Sequence, residues 1–269
     1  MLYTPPPRGG LFTIGDTSAI ANNYGTAVTP GSSTKGSWAE AIASTPAHIS
    51  WLEVHINSAT TNAASRNVLV DIGIGAAGSE VVLIPDLIGG NAWFYTADGI
   101  IYRFPVSIPA GTRIAARASG SVTTGIRVLI NILTARSFDL GFQKFAAIGI
   151  ANATQGTFIT PGTVSFSSWV SLGTVGFDAS WWQIGYQVSS GDTSHQAVAI
   201  AVELAFGDGT TLIPLLTFNP VFTSSTETES MIVSGLEGYR LVPSGSTIYA
   251  RAQTSGTADN ANVAAYAGG

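Results

Sequence analysis

Three groups of residues in this 269-residue chain have types and spacings that chemistry could use. The first is Gly73-Ile74-Gly75-Ala76-Ala77-Gly78, a literal GxGxxG, with Asp98 twenty residues after Gly78. That pattern cradles a dinucleotide pyrophosphate when it joins a strand to a helix N-terminus. Here Ser79-Glu80-Val81-Val82-Leu83-Ile84-Pro85 follows. Its β-branched run closed by proline reads as a strand, so the glycines mark a turn. No cofactor is expected. Gly31–Ser37, GSSTKGS, places Lys35 before Gly36 rather than after it, and so is no P-loop.

The second group is the carboxylates and histidines. Asp192 with Asp208, and Glu227 with Glu229, are the pairs that glycoside hydrolysis would require. Glu227 and Glu229 alternate with Ser and Thr, as in a solvated loop or edge strand, and Asp208 sits in a Gly-Asp-Gly turn. Asp192, Asp208 and loop carbonyls offer oxygen to Ca²⁺, but without EF-hand spacing. His48, His55 and His195 form no HxH or HxxxH pair, no GxSxG is present, and cysteine is absent. No metal site and no catalytic residue is assigned, and the chain is read as not an enzyme.

The third group is arginines and aromatics. Arg117 and Arg251 close two similar segments, IPAGTRIAAR (108–117) and VPSGSTIYAR (242–251). Each reads as an arginine whose stem packs on a sheet while its head bridges to an acid or carbonyls; a subunit or glycan contact stays open. Trp93, Phe94, Tyr95 and Trp181 have no matching partner elsewhere in the chain. They are candidate platforms for a glycan or a protein interface, or packing at a domain join.

The elements that must position these residues come from a repeat. GTAVTPG at 25–31 matches GTFITPG at 156–162; Trp38 matches Trp169, Trp51 matches Trp182, and Leu83-Ile84-Pro85 matches Leu212-Ile213-Pro214. With the arginine segments these are five anchors in order at nearly constant offset, which predicts tandem duplication. The four matched tryptophans are expected in the cores. Ile49–Ile56 and Ile126–Leu133 alternate with period two, and turn residues separate the runs. The expected fold is all-β: two tandem, jelly-roll-like β-sandwiches related by internal duplication. The predicted boundaries are an arm at 1–10, repeats at 11–134 and 145–269, and a linker at 135–144 whose Phe138, Leu140 and Phe142 alternate.

Charged residues make up 10%, against roughly 25% in an average soluble domain. Faces covered by neighbours tolerate such a composition, which predicts a homo-oligomer. Net charge is −5, with no basic stripe and no apolar run of transmembrane length. No nucleic acid and no membrane insertion are expected. The N-terminus lacks the pattern of a secretory signal. Its arm, with Leu2, Tyr3, Pro5, Pro6, Pro7 and Arg8, is a stiff extended segment that fits an anchor on a neighbour.

Asp71–Gly90, DIGIGAAGSEVVLIPDLIGG, and Tyr102–Gly120, YRFPVSIPAGTRIAARASG, resemble a β-sandwich module of tailed-bacteriophage virion proteins. The resemblance implies a structural subunit of head decoration, fibre, tail or baseplate. It would be assembled in the host cytoplasm, reside in the virion, and partner other virion proteins. The alternative is a carbohydrate-binding module that attaches the virion to a host surface glycan.

Overall fold

The computed structural model describes residues 10–15, 25–58, 67–89, 100–121, 123, 125–134, 141–188, 200–218, 238–255 and 261–269. Every regular element among them is a β-strand. In the first half, β1 (Leu11–Ile14), β2 (Thr26–Val28), β3 (Gly31–Ser32), β4 (Ala39–Ile42) and β5 (Ile49–Ser58) precede β6 (Val68–Ile74), β7 (Val81–Gly89), β8 (Ile100–Ile108), β9 (Ile114–Gly120) and β10 (Ile126–Thr134). One sheet has the order β1-β10-β5-β8, with β2 also on β10; the other is β3-β9-β6-β7, with β4 also on β9. Counting β1 with β2 and β3 with β4 as single edges, successive strands cross between the sheets in jelly-roll order, except for the β6–β7 hairpin within one sheet. Period two selects the core: Leu52, Val54 and Ile56 of β5 and Ile126, Val128, Ile130 and Ile132 of β10 are buried, while the residues between them face outward.

The second half contains β11 (Phe145–Ile148), β12 (Ile150–Asn152), β13 (Gln155–Ile159), β14 (Val170–Thr174), β15 (Ala179–Val188), β16 (Ile200–Gly207), β17 (Leu212–Phe218), β18 (Gly238–Val242), β19 (Thr247–Thr254) and β20 (Ala261–Gly268). The pairing recurs: β20-β15-β18 with β11 and β13 on β20, facing β14-β19-β16-β17. Gly73–Gly78 forms the β6–β7 hairpin, with Gly75 at φ 118° and Gly78 at φ 80°, and no helix follows.

The ladders correct two of the sequence matches. Trp51 pairs with Leu133 and Pro105, after a bulge that follows the Ile49–Ile108 pair. Trp181 pairs with Gly268 and Tyr239, after a bulge that follows the Ala179–Val242 pair. Trp51 therefore corresponds to Trp181, not Trp182, and Leu52 to Trp182. The Leu-Ile-Pro runs also stand at different rungs: Ile84 faces Ile72, whereas Ile213 faces Phe206. The remaining three anchors stay in register. Of the four tryptophans expected in the cores, only Trp182 is fully buried; Trp38, Trp51 and Trp169 are half-buried on outer faces.

The second half keeps a core of its own around Trp182, Ile184 and Leu204, and its outer face packs into the core of the first. The outer face of β11-β20-β15 lies over the β7/β8 side of the first sandwich, where Tyr102, Phe104, Phe145, Trp181 and Tyr266 cluster. Phe104 is 5.1 Å from Trp181 and 5.5 Å from Phe145, ring centre to ring centre. At Asp86 and Ile88 the outward backbone of edge strand β7 is satisfied by tyrosines. Ile88 N–H donates to the Tyr266 hydroxyl (2.7 Å), the Tyr102 hydroxyl donates to Ile88 C=O (2.7 Å), and Tyr266 donates to Asp86 C=O (3.0 Å). Burial pushes both phenols above their ordinary range, so both remain protonated donors. The β8 edge is closed by the chain entering β11: Phe142 N–H donates to Pro105 C=O (2.9 Å) and Ser107 N–H to Phe142 C=O (3.3 Å).

Candidate functional site

Two constellations concentrate the polar chemistry among the described residues. The first pairs each sequence-predicted arginine with an acid and a tryptophan. Arg117 Nε lies 2.8 Å from Asp71 Oδ2, with its guanidinium 4.4 Å above the Trp38 ring. Arg251 Nε lies 2.7 Å from Glu203 Oε2, with its guanidinium 4.4 Å above the Trp169 ring and 4.5 Å from the Phe166 ring centre. Asp71 and Arg117 are direct rung partners, as are Glu203 and Arg251. A planar cation stacked on an indole and hydrogen-bonded to a carboxylate is held from two directions, and Arg251 from a third by Phe166. The arginines therefore clamp outer sheet faces.

In the first half the clamp is larger. Lys35 Nζ reaches Asp71 Oδ1 and Asp86 Oδ1, both at 2.7 Å, and also Leu69 C=O at 3.1 Å. Asp86 N–H donates to Asp71 Oδ1 (2.9 Å) from a backbone at φ 51°, a conformation Asp tolerates better than most residues. Two carboxylates and two cations neutralise one another there, which suits burial of the Asp71 side chain at 4% exposure. Asp71 and Glu203 went unassigned in the sequence. The available signal was a single acid within an apolar strand, before a repeated arginine segment.

The second constellation covers the open outer face of the first half. Across β1, β10, β5 and β8 one rung carries Leu11, Leu133, Trp51 and Pro105, and the rung two residues on carries Thr13, Asn131, Glu53 and Arg103. Thr13 Oγ1 donates to Asn131 Oδ1 (2.8 Å), Asn131 Nδ2 to Glu53 Oε1 (2.9 Å), and Arg103 Nε to Glu53 Oε2 (2.7 Å); His55 Nε2 lies 2.7 Å from Glu53 Oε1. Burial alone would raise the Glu53 carboxyl, but the hydrogen bonds from Asn131, Arg103 and His55 outweigh it and bring it down to about 2. Glu53 thus stays an anion, an acceptor rather than a proton donor. Sequence reasoning missed this network because its members come from four strands.

The other predicted residues fall as follows. Trp181 is fully buried at the join, so it offers no platform on the surface. Trp93, Phe94 and Tyr95, the arm residues Leu2, Tyr3, Pro5, Pro6, Pro7 and Arg8, and His195, Asp192, Glu227 and Glu229 lie outside the described residues. Asp208 accepts the backbone N–H groups of Thr211 (2.8 Å) and Thr210 (2.9 Å), which hold its carboxyl below the ordinary value, as in a structural turn. Among the described residues no group of three or more His, Cys, Asp or Glu side chains is placed to hold a metal.

No protein-family model and no curated protein sequence matches the chain. Solved structures with likeness include PNGase F, a glycosylasparaginase from Flavobacterium meningosepticum, at 8% identity and TM-score 0.37, covering 96% of each chain. The chain spans 65% of the length of another, PNGF-II. The tandem CBM22 domains of Paenibacillus barcinonensis Xyn10C align at 9% identity and TM-score 0.26, covering 98% of this chain and 99% of that one. The VP2 subviral particle of infectious bursal disease virus aligns at 12% and 0.24, covering 97% and 72%. These likenesses are of β-rich architecture. They correct the reading of the chain as not an enzyme: a glycosylasparaginase stands among the structures it resembles. At this distance no activity passes from it to this chain. The viral neighbour is not a phage protein.

Proposed function

We propose that the chain is a structural subunit of a virus particle of the tailed-phage kind, built by duplication of one jelly roll. It works in the virion, against other virion proteins and further copies of itself, as a head-decoration, fibre, tail or baseplate piece. The observation that carries this reading is the join. Two sandwiches are packed together through a buried aromatic cluster, while apolar residues such as Leu11 and Leu133 stay open on the outer face. A block with low charge and uncovered apolar rungs suits assembly among neighbours. The glycan-attachment alternative loses Trp181 to the join, and nothing else described favours it. Quantitative mass spectrometry of purified, salt-washed particles tests the proposal. The chain is expected at a fixed stoichiometry to the major particle protein. Its loss on washing, or its absence from particles, would overturn the reading.

A further inference from the structure

Among the described residues the halves carry corresponding surfaces, and only one of each pair is used internally. The outer face of β11-β20-β15 covers the β7/β8 side of the first half. Its equivalent in the first half, the outer face of β1-β10-β5, covers nothing among the described residues. The correspondence runs residue by residue. At the join, Phe145, Gly268 and Trp181 share a rung. On the open face, Leu11, Leu133 and Trp51 do, with Leu11 71% and Leu133 40% exposed.

The receiving side behaves likewise. The β8 edge is closed through Phe142, which pairs with Pro105 and Ser107. Counting from the Ile108 and Val242 rungs, Leu241 of β18 stands where Ser107 stands in β8, and it is 65% exposed. Among the described residues there is thus one uncovered apolar face and one uncovered apolar edge, and the internal join shows how such a pair fits.

We propose that a second copy of this chain docks the outer face of its first half onto the β17/β18 side of the second half, repeating between chains the join made within each. The contact does not depend on the chain being a particle component. It joins two different surfaces, so it propagates head to tail into a ring or a filament. The open face carries Thr13, Asn131 and Glu53 where the join carries Ala147, Tyr266 and Gln183. Those polar groups are already hydrogen-bonded to one another or to Arg103, so covering them leaves no charge unpaired. The more polar face makes this junction weaker than the internal one.

The test is light scattering on size-exclusion-purified full chain over a concentration series. Leu241→Asp removes the edge, and Leu11→Asp with Leu133→Asp removes the face; all three side chains are exposed, and circular dichroism with thermal melting verifies that each variant folds. Wild-type mass is expected to rise with concentration. Each variant alone stays monomeric, its association weakened at least tenfold. An equimolar mixture of the two variants forms dimers and nothing larger, because one intact junction remains between them. A wild type that is monomeric up to its solubility limit overturns the proposal. So does a Leu241→Asp variant that still self-associates, the signature of face-to-face contact, or a mixture that fails to dimerise.

Discussion

Replacing Tyr266 with Phe removes one oxygen from the join and leaves the ring packing in place. That hydroxyl accepts the Ile88 N–H at 2.7 Å and donates to Asp86 C=O at 3.0 Å. Ile88 lies on edge strand β7, and the Ile88 side of the bond is buried. Without the hydroxyl the N–H has no partner, a loss of about 1–3 kcal/mol for a buried group. Asp86 C=O is only part-buried, so water recovers most of its bond. The expected destabilisation is about 2 kcal/mol, or roughly 4–8 °C in melting temperature for a chain of this size. Urea unfolding followed by tryptophan fluorescence and by far-ultraviolet circular dichroism measures it. Because the join buries the outer face of the second half in the core of the first, both probes should shift together in a single transition. Tyr102→Phe, which strips Ile88 C=O of its donor, should combine non-additively with Tyr266→Phe, since both hydroxyls serve the same residue. A Tyr266→Phe change under 0.5 kcal/mol would refute this account of the join. So would a wild type unfolding in two separate steps, with only the later one altered.

The two arginine clamps should respond unequally. Arg117→Leu leaves Asp71, at 4% side-chain exposure, with Lys35 as its remaining cation, and should destabilise by about 2–3 kcal/mol. Arg251→Leu leaves Glu203 at 23% exposure, where water compensates, and should destabilise by about 1 kcal/mol. Equal effects in denaturant titrations would show that burial of the acid does not set the magnitude. Acid stability should depend on Glu53. Its folded carboxyl titrates at about 2, below the ordinary 4.5, so its contribution is present above pH 4.5 and is lost as pH falls towards 2. The full shift would correspond to about 3 kcal/mol, and solvent contact at this outer face reduces the expectation to about 1–2 kcal/mol. Wild type and Glu53→Gln should therefore differ at pH 7 and converge near pH 2 in urea midpoint. A difference independent of pH would contradict the assignment.

The sequence by itself determined the fold class and much of its internal correspondence. Period-two alternation in Ile126–Leu133 chose which side chains enter the core, because neighbouring side chains in a strand point to opposite faces. Glycines at positive φ marked the β6–β7 hairpin against the dinucleotide reading, because the strand after it left no helix to bind phosphate. The GTxxTPG pair, Trp38 with Trp169, and Arg117 with Arg251 stood in register. Only the tertiary structure decided the rest. Matching Trp51 to Trp182 was a slip of one residue, and in a strand such a slip exchanges core for surface. That exchange hid the relation of Trp51 on the open face to Trp181 in the join. Asp71 meets Arg117 across 46 positions, and Tyr266 meets Ile88 across 178. The Glu53 network draws on four strands whose order no local pattern encodes. Alternation is a property of neighbours along the chain and can be read there. Which strand lies beside which is settled by closing long loops against a common core, and the polar site exists only once that closure has been made.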